Sequence, residues 1–345
     1  MITYVLLIIF VAFIFDFING FHDSANSIAT IVGTRVLSPL AAVVWAAVFN
    51  FVAAFTSSQA VAKAVGSGMI NLDIVTPNVV FGGLLGAILW NLITWYFGIP
   101  SSSSHALIGG YAGAAVAAAG LDGIRWGPKW VQTLSFIVVS PLVGFFAGSA
   151  IMIAIYWIFQ RVQAHKVDRI FRVGQLISSA ALSWSHGGND AQKTMGIIVS
   201  LLVATKTMFA AQTGFLHHFH VESADRIPYW VEIGAYTAIS LGTLFGGWRI
   251  VHTMGSRITK LRPVGGFSAE TGGALAISLA THFGIPVSTT HTITGSIVGV
   301  GSANRLSAVR WALAGRIVWA WIVTIPAAGL LAALSYLIVN AVSRA

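Results

Sequence analysis

The chain of 345 residues contains no cysteine, which excludes disulfides, thiolate metal sites and a cysteine nucleophile. It is also poor in charge. Asp, Glu, Lys and Arg together make up 8%, against roughly 25% in an ordinary globular chain. So few charges cannot cover the surface of a soluble protein of this length. What is present is apolar: 56% hydrophobic residues, a mean hydropathy of +0.82, 36 glycines and 12 tryptophans. Glycine is more frequent in membrane helices than in soluble ones, and tryptophan collects at lipid–water interfaces. The apolar runs are far longer than the roughly 9–11 residues of a barrel strand. The predicted class is an all-α polytopic membrane protein in a lipid bilayer. Acids are the scarcest charges, 10 against 19 Lys and Arg, for a net charge of +9. On a soluble domain that excess would suggest nucleic acid. Here basic residues at cytoplasmic loops explain it, and no nucleic-acid partner is expected.

Apolar runs fall at about 2–18, 38–57, 78–97, 103–119, 131–158, 176–203, 229–248, 265–283, 289–303 and 311–339. A span needs roughly 20 residues, so about ten segments are predicted. Met1 to Phe15 has no basic region and no small-residue cleavage site, and reads as a first span. The runs 103–119 and 289–303 are short and follow Pro and clustered hydroxyl residues, as broken or re-entrant half-helices would. Arg161, Lys166, Arg169 and Arg172 form one basic cluster, and Arg249, Arg257, Lys260 and Arg262 a second. Both are placed in the cytoplasm by the positive-inside rule. If every run crosses, both termini lie outside, as does the loop 205–228 with His217, His218 and His220. That loop reads as solvent-exposed, with metal binding by its histidines as the alternative.

The most polar stretch, 160–174, sits near the midpoint and prompts a search for a repeat. The first half has Gly20-Phe21-His22-Asp23-Ser24-Ala25-Asn26-Ser27, and the second Gly187-Gly188-Asn189-Asp190-Ala191-Gln192-Lys193-Thr194. Further on, Phe97-Gly98-Ile99-Pro100-Ser101-Ser102-Ser103-Ser104-His105 is matched by Phe283-Gly284-Ile285-Pro286-Val287-Ser288-Thr289-Thr290-His291. The order of motifs is the same. On the all-crossing count Asp23 and Asp190 lie on segments of opposite direction, so the halves are inverted copies: 1–159, a cytoplasmic linker 160–174, and 175–345. Inverted repeats are a signature of secondary transporters, with the site at the repeat interface near the midplane.

Asp23 and Asp190 interrupt apolar stretches, and an intramembrane acid marks a pathway or a partner by default. Nearby glycines break helices and free backbone carbonyls, which with Asp, Asn26 and Asn189 suit a hard cation such as Na⁺ or Mg²⁺. Either Asp could instead carry a proton. Lys193 stands where the first half has Asn26; it faces the anion, takes the place of a bound cation, or serves proton coupling. The clusters Ser102, Ser103, Ser104 and Ser288, Thr289, Thr290 follow Ile-Pro and open helices. Hydroxyls at a helix N-terminus, where N–H groups are unpaired, make an oxyanion site without arginine. Ordinary N-capping is the alternative. His105 and His291 either bond their caps or act at the site. Glu270, matched by Leu84, is asymmetric, and Asp16 is a second acid near Asp23. An intramembrane hydrolase using Ser104 with His105, or Ser103 with Asp23, is disfavoured: no G-x-S-x-G elbow is present, and duplicating the whole hydroxyl motif does not suit one nucleophile.

Gly20–Thr30, Gly187–Gly196, Pro100–His105 and Pro286–His291 resemble the motifs of the inorganic phosphate transporter (PiT) family, over nearly the whole chain. The resemblance implies a non-enzyme that imports phosphate across the plasma (inner) membrane by symport and alternating access. It places coupling ions at the Asp motifs and phosphate at the hydroxyl motifs. Gln192-Lys193 resembles the bacterial low-affinity type, in which phosphate travels with a divalent metal and protons, and departs from the pattern of two symmetric Na⁺ sites. Sulfate carriers exist in the wider family, so another oxyanion is the alternative substrate. No resident cofactor is implied beyond Na⁺ or a divalent metal, with Asp23 and Asp190 as its ligands, and a homodimer is compatible with such a chain. Charge supports coupling independently. Moving phosphate into a negative interior costs about 2.3 kcal/mol per charge per 100 mV, which a co-transported cation offsets.

Overall fold

The structure is a computed structural model that describes residues 1–343. Its longer helices in chain order are α1 (Ile2–Gly33), α2 (Pro39–Val52), α3 (Ala60–Gly68), α4 (Pro77–Tyr96), α5 (Ser103–Ala119), α6 (Pro128–Phe159) and α7 (Ala164–Ala204). They continue with α8 (Lys206–Ala210), α9 (Tyr229–Phe245), α10 (Trp248–His252), α11 (Pro263–His282), α12 (Thr289–Asn304) and α13 (Trp311–Val342). Among the described residues there is no strand, only an isolated bridge between Ile70 and Ile124. The protein is an all-α membrane protein, and every one of the ten apolar runs is helical. Among the described residues five helices are long and apolar enough to cross a bilayer, or six if the bent pair α2–α3 counts as one span. The difference from ten has a physical source. The helices α9 and α12 have 17 and 16 residues, fewer than the roughly 20 of a span, while α7 and α11 carry Asp190, Lys193 and Glu270 on buried faces, where interior polarity replaces lipid-facing apolarity. The polar stretch after 163 is not a loop but the first turns of α7.

The F-G-I-P sequences build two matching turns. At the end of α4, Ile99 N–H donates to Thr94 O and Gly98 N–H to Trp95 O; at the end of α11, Ile285 N–H donates to Ala280 O and Gly284 N–H to Thr281 O. This is the Schellman pattern, which needs a left-handed residue just past the helix. Gly98 and Gly284 supply it at φ 65° and 64°. Pro100 and Pro286 then prevent the helix from resuming, and Ser102 and Ser288 cap the next one by accepting from His105 N and His291 N. Each motif thus reverses the chain into a hairpin, α4–α5 or α11–α12.

The two halves exchange their last helix. α6 packs on α11 and α12, and α13 packs on α4 and α5. Glycine makes these approaches possible: a Cβ at Gly295 would stand 2.1 Å from Pro141 O, and one at the matched Gly109 2.5 Å from Ile325 O. The apolar core divides in two. One cluster holds Val5 to Phe15 of α1 and Ala191 to Leu202 of α7; the other holds Ala25 to Ile31 and Leu182. The polar middles of both helices lie between them.

Candidate functional site

Asp23 lies in α1 and Asp190 in α7, on two helices packed against each other, and the tips of both hairpins reach them. Ser103 Oγ donates to Asp23 Oδ1 at 3.0 Å, and Thr289 Oγ1 donates to Asp190 Oδ2 at 3.0 Å. These two bonds are copies of each other in the two halves. A second pair crosses between halves: Asn26 Nδ2 donates to Thr290 Oγ1 at 2.9 Å and Thr289 Oγ1 at 3.2 Å, and Lys193 Nζ donates to Ser104 Oγ at 2.6 Å. Lys193 also donates to Asp190 Oδ1 at 2.5 Å and to Val287 O at 2.8 Å. Ser104 Oγ adds a longer bond to Asp190 Oδ1, 3.3 Å. All of these side chains are buried. The sequence-predicted residues therefore converge, with Ser102 and Ser288 as the caps beneath them.

The arrangement has two chemical capacities. The N-termini of α5 and α12 both point into the cluster, and the N–H groups of their first turns lack helical acceptors. Such N–H groups can seat an oxyanion, together with the Ser102, Ser288 and Thr290 hydroxyls, which only accept here; the Ser103, Ser104 and Thr289 hydroxyls donate to the two carboxylates. Beside it, Asp23, His186 and Asp190 offer ligand atoms that all lie within 4.8 Å of one another, the only such three-residue group among the described residues. Carboxylates and an imidazole suit a divalent cation. Asp190 is, however, already engaged by Lys193 and Thr289, and His186 Nε2 stands 3.2 Å from its Oδ2. Asp23 is freer. Its neighbours are Ser103 and the His22 ring, whose Nδ1 is 2.6 Å away.

Other expected residues take different places. Asn189 donates to Thr281 Oγ1 at 2.8 Å and Ile285 O at 3.4 Å, so it pins the second hairpin while its Oδ1 stays without a partner. The His105 and His291 rings meet edge-on, with centroids 4.8 Å apart, and no ring nitrogen has a hydrogen-bond partner. Ser104 and His105 therefore form no nucleophile–base pair. Glu270 is away from the Asp pair; it accepts from Thr30 (2.6 Å), Gln175 (2.8 Å) and Ser178 (2.5 Å), tying α11 to α1 and α7. Asp16 is buried on α1 and accepts from Thr194 at 2.6 Å. In the 205–228 loop, His220 Nε2 meets the exposed Glu222 at 2.7 Å, and its imidazole holds the Glu222 carboxyl below the usual range.

Three contributors escaped the sequence reading. His186 precedes Asp190 by one helical turn, and the i, i+4 spacing was the available signal. His22 sits inside the quoted motif, where its matched residue Asn189 obscured it. Gln192 Oε1 accepts from Val61 N and Ala62 N at 2.9 and 3.2 Å, capping α3 after the break from α2. No local pattern announces that contact.

Comparison with known proteins agrees with this geometry. A model described as the phosphate transporter family matches the chain twice, over residues 19–167 and 160–332. A "Probable low-affinity inorganic phosphate transporter" of Rhizobium meliloti (strain 1021) is 55% identical over 95% of this chain and 94% of its own length. One of the same name from Bacillus subtilis (strain 168) is 44% identical over 97% of each chain. A solved structure described as "The sodium-dependent phosphate transporter" shares the fold, with a TM-score of 0.83 at 24% identity over 98% of this chain and 99% of that one. These names are of transporters, for phosphate and not for sulfate. With the family model covering both halves, the relatives matching end to end and the motifs gathered at one buried centre, the chain is a multi-pass membrane transport protein, not an enzyme, and belongs to the phosphate transporter family.

Proposed function

We propose that the protein imports inorganic phosphate across the plasma (inner) membrane by cation-coupled symport and alternating access. The observation that carries this reading is the convergence of two hairpin tips, each with a helix N-terminus and hydroxyls, on a buried pair of carboxylates. Ser102, Ser103, Ser104, Ser288, Thr289 and Thr290 with the α5 and α12 N-termini bind the phosphate. The coupling charge resides at Asp23 and Asp190; Lys193 bonds Asp190 directly, while Asn26 and Asn189 hold the second hairpin, whose Thr289 bonds Asp190. A cation here lowers the cost of carrying an anion against the membrane potential. Asp23, with a carboxylate bound only by Ser103 and His22, is the seat for the exchangeable cation, a metal ion or a proton. Both termini lie outside, following the basic clusters. The inverted halves and their exchanged helices support alternating access, since each hairpin rests on a helix of the other half. The test is uptake of labelled phosphate into proteoliposomes, with Na⁺, pH and Mg²⁺ varied one at a time. Dependence on one of these cations, with little competition from excess sulfate, is expected. Uptake indifferent to all three overturns the coupling, and full competition by sulfate overturns the choice of anion.

A further inference from the structure

We propose that the Lys193 ammonium is a built-in cation that permanently fills the Asp190 half of the site, leaving one exchangeable cation position, at Asp23. The inference rests on the transport reading above and adds how the positive charge is divided between the halves.

With Asp190 as a carboxylate, the hydrogen bonds of Lys193 are those of an ammonium. Val287 O is a carbonyl and can only accept. Asp190 Oδ1 accepts from Lys193 at 2.5 Å and also receives the Ser104 hydroxyl at 3.3 Å. The Ser104 proton is thus committed to Asp190, so Ser104 Oγ must accept from Lys193, 2.6 Å away. Three donated bonds use three N–H groups, the complement of an ammonium. The shell around Nζ is a carboxylate, a hydroxyl and a backbone carbonyl, all oxygen, which is the donor set a small hard cation takes. It is 1% exposed and the Asp190 partner 0%.

The pseudo-symmetric half lacks this charge. Asn26 occupies the matched position, and its amide goes across to Thr289 and Thr290. Asp23 therefore has Ser103 and the His22 ring but no lysine or arginine. Two carboxylates at one buried centre require compensation, since an unpaired buried charge is expensive. Lys193 compensates one of them. The other has beside it only the His22 ring, 2.6 Å from Oδ1 and charged only when protonated; with that ring neutral the compensation comes from solution, and that is the charge available for coupling.

The Lys193→Asn variant copies Asn26 into the second half and tests the assignment in two ways. Thermal unfolding of purified protein in detergent is compared in choline chloride, NaCl and MgCl₂ at equal ionic strength. The variant is expected to gain a stabilisation by Na⁺ or Mg²⁺ over and above any shown by the wild-type protein. In proteoliposomes its phosphate uptake is expected to rise with the second power of the coupling cation, where the wild-type protein follows the first. A variant that folds and shows the same cation response as wild type overturns the proposal. If Lys193→Asn folds in none of these salts while Asp190→Asn/Lys193→Asn folds, no solution cation can take the ammonium's place, and the proposal also fails. The double variant removes carboxylate and ammonium together and is expected to keep the first-power dependence; second-power dependence overturns the assignment. The melting comparison needs no phosphate. A wild-type protein that takes up none sinks the transport reading, while the salt response of Lys193→Asn still decides the role of the lysine.

Discussion

At Asp23 the carboxylate meets a serine and an imidazole; at Asp190, one pseudo-symmetric step away, it meets a threonine, an imidazole and an ammonium. The backbone devices of the two halves correspond: the Schellman turns at Gly98 and Gly284, the Ser102 and Ser288 caps, and the glycines beneath α6 and α13. Charge is where the copies part. Glu270 has Leu84 as its counterpart and Lys193 has Asn26. A duplicated scaffold keeps both hairpins in place because each needs the same turn. Its electrostatics need not be duplicated, because the turn does not depend on which charges line it.

The comparison breaks most visibly at the acids. Asp190→Asn strands the Lys193 ammonium in the interior and is expected to cost about 3–5 kcal/mol, the usual penalty for removing one partner of a buried pair. Asp23→Asn strands no lysine and should cost less than half as much, read by thermal unfolding. Both should lower phosphate uptake more than tenfold, and equal destabilisation by the two would erase the distinction between the halves. Restoring neutrality in Asp190→Asn/Lys193→Asn should recover most of the lost stability.

Packing sharpens the likeness in place of the difference. Gly109→Ala and Gly295→Ala each push a methyl group into a facing carbonyl. Each is expected to lose about 1–3 kcal/mol, the ordinary range for overpacking. A site at which one alanine is free would show that α6 and α13 are not equivalent supports. At the hairpin tips, replacing Ser102–Ser104 or Ser288–Thr290 with alanine removes donors to a charged ligand. A rise of about tenfold or more in the apparent KM for phosphate is expected, since one such bond contributes about 1.5–3 kcal/mol. An unchanged KM in either set moves the anion away from that half.

The smallest effect lies outside the repeat. Glu222 is exposed, with its carboxyl held below the usual range by His220. A depressed carboxyl favours the fold above its unfolded value and loses that contribution as pH falls through the folded value, in the acid range. Exposed pairs of this kind are weak, so Glu222→Gln should leave uptake at neutral pH unchanged. A changed uptake would give the loop 205–228 a role in transport.

Much of this was legible along the chain. The ten apolar runs all became helices, and F-G-I-P announced its turn because left-handed glycine followed by proline is a local instruction. The convergence of Asp and hydroxyl motifs was readable from their duplication. His186 was within reach of an i, i+4 reading. The donors around Glu270 were not: Thr30, Gln175 and Ser178 stand 240, 95 and 92 residues away, and no spacing rule links them. Nor did the number of apolar runs reveal which helices are polar on their buried faces.

Composition and short motifs settled the membrane class, the helical runs and the two hairpin turns, because each depends on a few neighbouring residues and on the cost of exposing backbone to lipid. The exchange of α6 and α13 between halves, and the capture of Lys193 by Ser104 and Val287 across 89 and 94 residues, were decided only when the chain closed on itself. A buried charge must take whichever oxygens the packed helices bring near it, and those oxygens are neighbours in space alone.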